Sequence, residues 1–190
     1  MEEIRFFHNA VILDACCAIN LYASGRMEDI LQSAPCKFVI ADYVKDKEII
    51  GYIKIYNEGE LTQKQINLQP IIDKNLLAVV SIRSETESID YINFCYEFLE
   101  NGEAITGAIA KNRNWGIATD DTKCIDILNK NVPHVQIFTT PHLIKNWYEI
   151  RRPSTFEIKT TLKNIQCGGR YRPGPKHPLH RWWNNVSTGA

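Results

Sequence analysis

Five short apolar runs alternate with helix-patterned segments through the first 150 residues, and this alternation restricts the fold more than any other feature. The runs lie at 10–14, 37–41, 76–82, 116–119 and 135–138, each too brief for a stable helix and well suited to a buried strand. Segments 15–23, 84–99, 103–112, 121–128 and 140–150 carry helical patterns, with stop signals at Gly25 and Asn101-Gly102 and Pro141 in a first turn. Strands separated by helices predict an α/β fold with a mainly parallel central sheet of about five strands, because parallel neighbours need crossover connections.

Local signals refine this outline. Ser84 with Glu87 matches a capping box, and Ile89, Ile92, Phe94, Cys95, Phe98 and Leu99 supply the apolar face of the helix that follows. Asp42 is placed to cap a helix carrying Val44, Ile49, Ile50 and Ile53. Asn57-Glu58-Gly59-Glu60 is a turn signal between 52–56 and 61–68, which read either as a small hairpin or as an irregular insertion.

At 190 residues and 44% hydrophobic content, the chain suits one domain with room for an appendage. A formal net charge of zero supplies no global field toward nucleic acid or membrane, so any polyanion site has to be a local patch. The apolar runs are too short to span a bilayer. The acidic start Met-Glu-Glu-Ile-Arg predicts no signal peptide, and with it a cytoplasmic location. Cysteines 16, 17, 36, 95, 124 and 167 show no Cys-x-x-Cys spacing, which predicts reduced thiols acting as small hydrophobes rather than a zinc site.

After Arg151-Arg152-Pro153 the character changes. Residues 155–165 suit one more helix, whereas 168–190 hold three prolines, four Arg or Lys residues and a Trp-Trp pair, a composition that denies this tail a core of its own. It either docks on the body through Trp182 and Trp183 or stays mobile. Arg170 and Arg172 interleave with Tyr171, so the segment can also contact phosphates while bases stack on its rings. Pro178 between His177 and His180 argues against a helical metal-binding pair.

Acidic residues recur at strand ends and helix starts. Asp14 ends the first run, Asp42 and Glu48 follow the second, Glu103 opens a helix, and Asp120 and Asp121 end the fourth run after Thr119. In an open parallel sheet the carboxyl ends of the strands share one edge, where ligands bind. Several carboxylates gathered there need a cation to stay ionised together, and hard oxygen donors favour Mg²⁺ or Mn²⁺. Taken singly, each acid also has a plainer reading, as a helix cap or a solvated charge. Thr119 either hydrogen-bonds a ligand carboxylate or caps the next helix. Asn20 is either a substrate contact or a solvated polar residue.

The segment Val-Ile-Leu-Asp-Ala-Cys-Cys-Ala-Ile-Asn-Leu-Tyr-Ala-Ser-Gly at 11–25 resembles the opening strand and helix of PIN-domain proteins. Asn101-Gly102-Glu103-Ala104, followed by Trp115-Gly116-Ile117-Ala118-Thr119-Asp120-Asp121, resembles the second half of that family's acidic signature. The resemblance covers about residues 8–150 in overall order. It implies a PIN-like nuclease domain at 1–150 in a three-layer α/β/α arrangement, with 151–190 as a C-terminal helix and basic, aromatic tail. It also implies a Mg²⁺- or Mn²⁺-dependent endoribonuclease acting on RNA, similar to the VapC-like toxins of toxin–antitoxin pairs. An antitoxin protein and a homodimer are then the expected partners, and no membrane is. The alternative is a catalytically weak PIN-fold module for RNA binding or interaction.

Carried over by motif, Asp14 matches the first metal-binding acid, Glu103 the third and Asp121 the fourth, with Asp120 a further candidate ligand. The second acid belongs after the second strand, where Glu48 is chosen and Asp42 and Asp46 compete. Glu stands at the third position where Asp is common, and 52–76 is longer than in minimal members. The implied catalytic set is Asp14, Glu48, Glu103 and Asp121, with Thr119, Asn20, Arg170 and Arg172 toward the substrate.

Overall fold

The computed structural model describes residues 4–57, 60–97 and 99–189, with backbone alone at 55–57 and 61. Phe98 and the Glu58-Gly59 part of the expected turn lie outside the described residues. The chain runs β1 (Ala10–Leu13), α1 (Ala15–Ala23), α2 (Met27–Ser33), β2 (Lys37–Ala41), β3 (Tyr52–Asn57), β4 (Glu60–Gln65), α3 (Gln69–Asp73), β5 (Ala78–Val80), α4 (Glu85–Tyr96), α5 (Asn101–Arg113), β6 (Gly116–Ala118), α6 (Thr122–Asn131), β7 (Ile137–Phe138), α7 (Thr140–Arg151), α8 (Thr155–Asn164) and α9 (His180–Thr188). Short π-helical turns occupy Val44–Glu48 and Ile165–Gly169.

Five strands form one sheet in the order β5-β2-β1-β6-β7, and each pairing in it is parallel. Helices flank the sheet, giving the expected α/β/α layering. The middle strands β1, β2 and β6 read Ala-Val-Ile-Leu, Lys-Phe-Val-Ile-Ala and Gly-Ile-Ala and are almost wholly buried, as strands covered on both faces must be. From β1 the chain first builds outward through β2 and β5, then returns to build the other side through β6 and β7. The order therefore reverses between β1 and β6, the position where open α/β sheets form a ligand crevice.

Two expectations change and one open reading is resolved. After β2 there is no regular helix: Asp42 accepts a hydrogen bond from the adjacent Tyr43 amide, the chain makes the π-helical turn, and Ile50 is left exposed. Segment 52–65 is a hairpin, with Tyr52 opposite Gln65 and Asn57 opposite Glu60. The apolar face assigned to α4 is partly wrong as well. Phe94 and Leu99 are buried, yet Ile89 and Ile92 are about half exposed. The helix is turned so that Glu87 faces inward, where Arg113 Nε donates to its Oε1 at 2.7 Å and Arg113 Nη2 to its Oε2 at 3.0 Å. A buried carboxylate held by a guanidinium outweighs a slightly better apolar stripe, because leaving either charge unpaired is costlier.

The tail docks. Trp183 on α9 is fully buried, Tyr171 meets it edge-on, and Trp182 packs edge-on against Tyr148 of α7. Ile158, Leu162 and Ile165 join the same core as β1 and α1. Ser154 and Glu157 form a reciprocal capping box that starts α8. We expect Trp183→Ala to lower unfolding free energy by about 3–5 kcal/mol in denaturant titration. Trp183→Phe should cost much less, because the indole Nε1 is buried without a hydrogen-bond partner and its loss removes a desolvated donor. Equal losses in the two variants would contradict this account.

Candidate metal centre

Parallel pairing of β1 with β6 aligns Leu13 with Ala118, so the residues that follow, Asp14 and Thr119, leave the sheet side by side. The Asp14 amide donates to the Ala118 carbonyl at 3.0 Å. Asp14 stands at the N-cap of α1, but its side chain makes no cap bond. Its Oδ2 instead accepts from the Thr119 hydroxyl at 2.9 Å and from the Cys16 thiol at 3.1 Å. The carboxyl is only 4% exposed, and this burial pushes its pKa above the ordinary Asp value. The two side-chain bonds work against that rise, and the charge of Asp121 adds to it.

Three further acids face Asp14 from separate segments. Glu103, in the first turn of α5, accepts from the Glu100 amide through Oε2 at 3.1 Å. Burial raises its pKa to about 7; the Glu100 bond opposes the rise, and the charges of Asp14 and Asp121 contribute to it. Glu48 ends the π-helical turn and rests on the start of α5, where the Gly102 amide bonds its carboxylate. A Cβ on Gly102 would collide with that carboxylate, so glycine is required for the close approach. Burial, then the charge of Asp14, raises the Glu48 pKa. Asp121 is exposed and caps α6, its Oδ1 accepting from the Cys124 amide at 2.7 Å.

Among the three competitors for the second acid, the structure brings Glu48 to this edge. Asp46 pairs with the neighbouring Lys45, and Asp42 is engaged by the Tyr43 amide. Thr119 is fully buried and bonds the Asp14 carboxylate, as one of its expected roles requires; it accepts from the Asp121 amide at 3.3 Å, but the cap of the next helix is Asp121 rather than Thr119. Two residues go elsewhere. Asp120 turns away from Asp14 into a buried network, where its Oδ1 accepts from the Thr140 amide at 2.8 Å and its Oδ2 from Asn20 Nδ2 at 2.8 Å and from the Thr140 hydroxyl. Its oxygens are thus engaged by the protein, which corrects its assignment as a ligand. Asn20, expected either at substrate or in solvent, is 3% exposed and belongs to that network.

Arg170 and Arg172 are exposed, and Arg172 Nη2 donates to Asn184 Oδ1 at 2.6 Å. His177 and His180 are engaged by Thr139 and by Pro173 with Asn184. Sequence reasoning missed Cys16 and Gly102. The thiol passes for a small hydrophobe, and the glycine for a helix stop, until the folded chain brings Asp14 and Glu48 against them.

The donor set is all-carboxylate, as Mg²⁺ or Mn²⁺ prefers; burial first, and then neighbouring carboxylate charge, raises the pKa of Asp14, Glu48 and Glu103. Among the described residues, however, no three Asp, Glu, His or Cys side chains are gathered tightly enough to enclose a metal ion as they stand. The cap bonds explain part of this. They engage one oxygen each of Glu103 and Asp121, namely Oε2 and Oδ1.

Fold and site together define an α/β/α protein with several carboxylates near the sheet edge where the strand order reverses. No protein-family model, curated protein or solved structure matches the chain. Among the described residues no helix is long and apolar enough to cross a membrane.

Proposed function

We propose that this chain is a PIN-type endoribonuclease dependent on Mg²⁺ or Mn²⁺. The observation that supports the reading is that Glu48, Glu103 and Asp121, from three separate segments, all lie within electrostatic reach of Asp14 at the edge where the sheet order reverses. Asp14, Glu103 and Asp121 would hold the cation, directly or through water. Bound there, a divalent cation supplies Lewis acidity toward a phosphoryl oxygen and toward water.

The protein's own groups do the rest. Thr119 and Cys16 fix the Oδ2 edge of Asp14, so its direction does not depend on the ion. Glu48, seated on the Gly102 amide with a raised pKa, takes the proton from the attacking water. RNA is the proposed substrate. Exposed Arg170 and Arg172 offer phosphate contacts, though Arg172 is already bonded to Asn184. A cognate antitoxin and a second copy of the chain are the proposed partners.

The expected result is cleavage of a mixed RNA by the full chain with Mg²⁺ or Mn²⁺, and none with a chelator. Undiminished cleavage under chelation would overturn the metal reading. A second reading, an RNA-binding module with weak turnover, draws support from the open spacing of the acids. Salt-sensitive RNA binding with no cleavage under any divalent ion would establish it instead.

A further inference from the structure

Beneath the acid edge lies a second polar cluster that the proposed chemistry does not use. Asp120 is chained between Thr119 and Asp121, yet its carboxylate is buried against α1 and the start of α7. The Thr140 amide and hydroxyl hold it from one side, and Asn20 Nδ2 holds it from the other. Asn20 Nδ2 also reaches the Thr140 hydroxyl at 3.3 Å, and the Asp120 amide donates to Cys16 Sγ at 3.2 Å. The Tyr171 phenol adds a donor to the carboxylate from the C-terminal segment.

That segment also presses on Asn20 directly. Gly169 lies so close that a Cβ there would collide with Asn20 Oδ1, and Gly168 packs equally tightly on the Lys54 carbonyl. The φ of Gly169 is not positive, so close packing rather than backbone strain selects the missing side chain. Nearby, His177 Nε2 lies 2.9 Å from the hydroxyl of Thr139, the residue before Thr140. The Leu179 amide donates to His177 Nδ1, so the neutral ring carries its proton on Nε2 and donates to Thr139. The tail is therefore seated against both ends of the tie that anchors Asp120.

We propose that Asn20 is a positioning residue: it pins Asp120, and through it the Thr119–Asp121 turn, and the C-terminal segment keeps it in place through Gly169. The metal-dependent consequence rests on the nuclease reading given above, whereas the pinning of the turn does not. Thr119 orients Asp14, and Asp121 is an acid of the site, so a turn freed from below loses the geometry of both.

The test uses the full chain with Asn20→Ala, Gly169→Ala, the double variant, and Trp182→Ala as a control that loosens the tail away from Asp120. Amide hydrogen exchange in chelator should quicken across 119–124 in Asn20→Ala and Gly169→Ala, but stay at the wild-type rate there in Trp182→Ala. Mn²⁺ added alone should bind the first two variants about tenfold more weakly than wild type. Gly169→Ala should add nothing in the Asn20→Ala background, since it acts through that side chain. Lower melting temperatures with unchanged exchange at 119–124 would overturn the positioning role, as would fully additive effects. A wild-type chain that binds no Mn²⁺ overturns the metal reading, and the exchange rates then decide the positioning claim by themselves.

Discussion

Asp14→Asn and Asp121→Asn proteins are expected to stay folded and to lose RNA cleavage by about a thousandfold, equivalent to ~4 kcal/mol of transition-state stabilisation. The folded state tolerates both for separate reasons. Asp14 is buried, and its acceptor bonds from Thr119 and Cys16 converge on one oxygen, which an amide also possesses. Removing its charge relieves both the desolvation and the repulsion from Asp121 that raise its pKa, so without metal the variant should melt at or above the wild-type temperature. At Asp121 the cap on the Cys124 amide survives, because Asn is as good an N-cap as Asp. Cleavage assays beside thermal melts in chelator check the pair. Full activity in two folded variants would eliminate the proposed centre.

Acid should stabilise the metal-free protein through Glu103 and weaken its hold on metal. The Glu103 pKa rises from 4.5 to about 7 on folding, so the folded chain keeps a proton that the unfolded chain has released. Its stabilising contribution is complete below the unfolded value, and it is lost as pH rises through about 7. His142 has the opposite sign. Burial, with His177 and Lys145 adding, lowers its pKa from 6.5 to about 4, so its contribution is present above 6.5 and is lost as pH falls toward 4. The geometry agrees, since the Thr139 amide donates to His142 Nδ1 and a proton there would displace it.

Denaturant titrations in chelator, from about pH 8.5 to 4, should therefore show stability rising as pH falls through 7, with the histidine loss opposing it below about 6.5. Glu103→Gln should flatten the upper limb, and the same variant should remove much of the pH dependence of Mn²⁺ binding near neutrality. A Glu103→Gln profile that overlays the wild type would sink the assignment.

How far these features were legible in the chain depends on how local their causes are. β1, β2 and β6 read directly, because strands covered on both faces must be apolar throughout. The edge strand β5 shrank to three residues, with Val79 exposed, because half of its apolar signal serves neighbouring loops. On α4 the periodicity pointed to Ile89 and Ile92, but the orientation was decided by a pairing of Glu87 with Arg113 across 26 residues. No window of local sequence contains that pairing. The hairpin at 52–65 was one of two open readings, and cross-strand pairing resolved it.

The sequence by itself determined the alternation of strands and helices and the placing of acids at strand ends, because both follow from periodicity and short-range capping chemistry. Tertiary structure alone decided which of those acids face one another. Asp120 and Asp121 are adjacent, and successive side chains leaving a strand point to opposite sides. Only one of the pair stays at the acid edge: the buried donors of Asn20 and Thr140, 100 and 20 residues away, hold Asp120 on the other side. Glu48 prevailed over Asp42 and Asp46 for the same kind of reason: the bare backbone of Gly102 left room for its carboxylate against the start of α5.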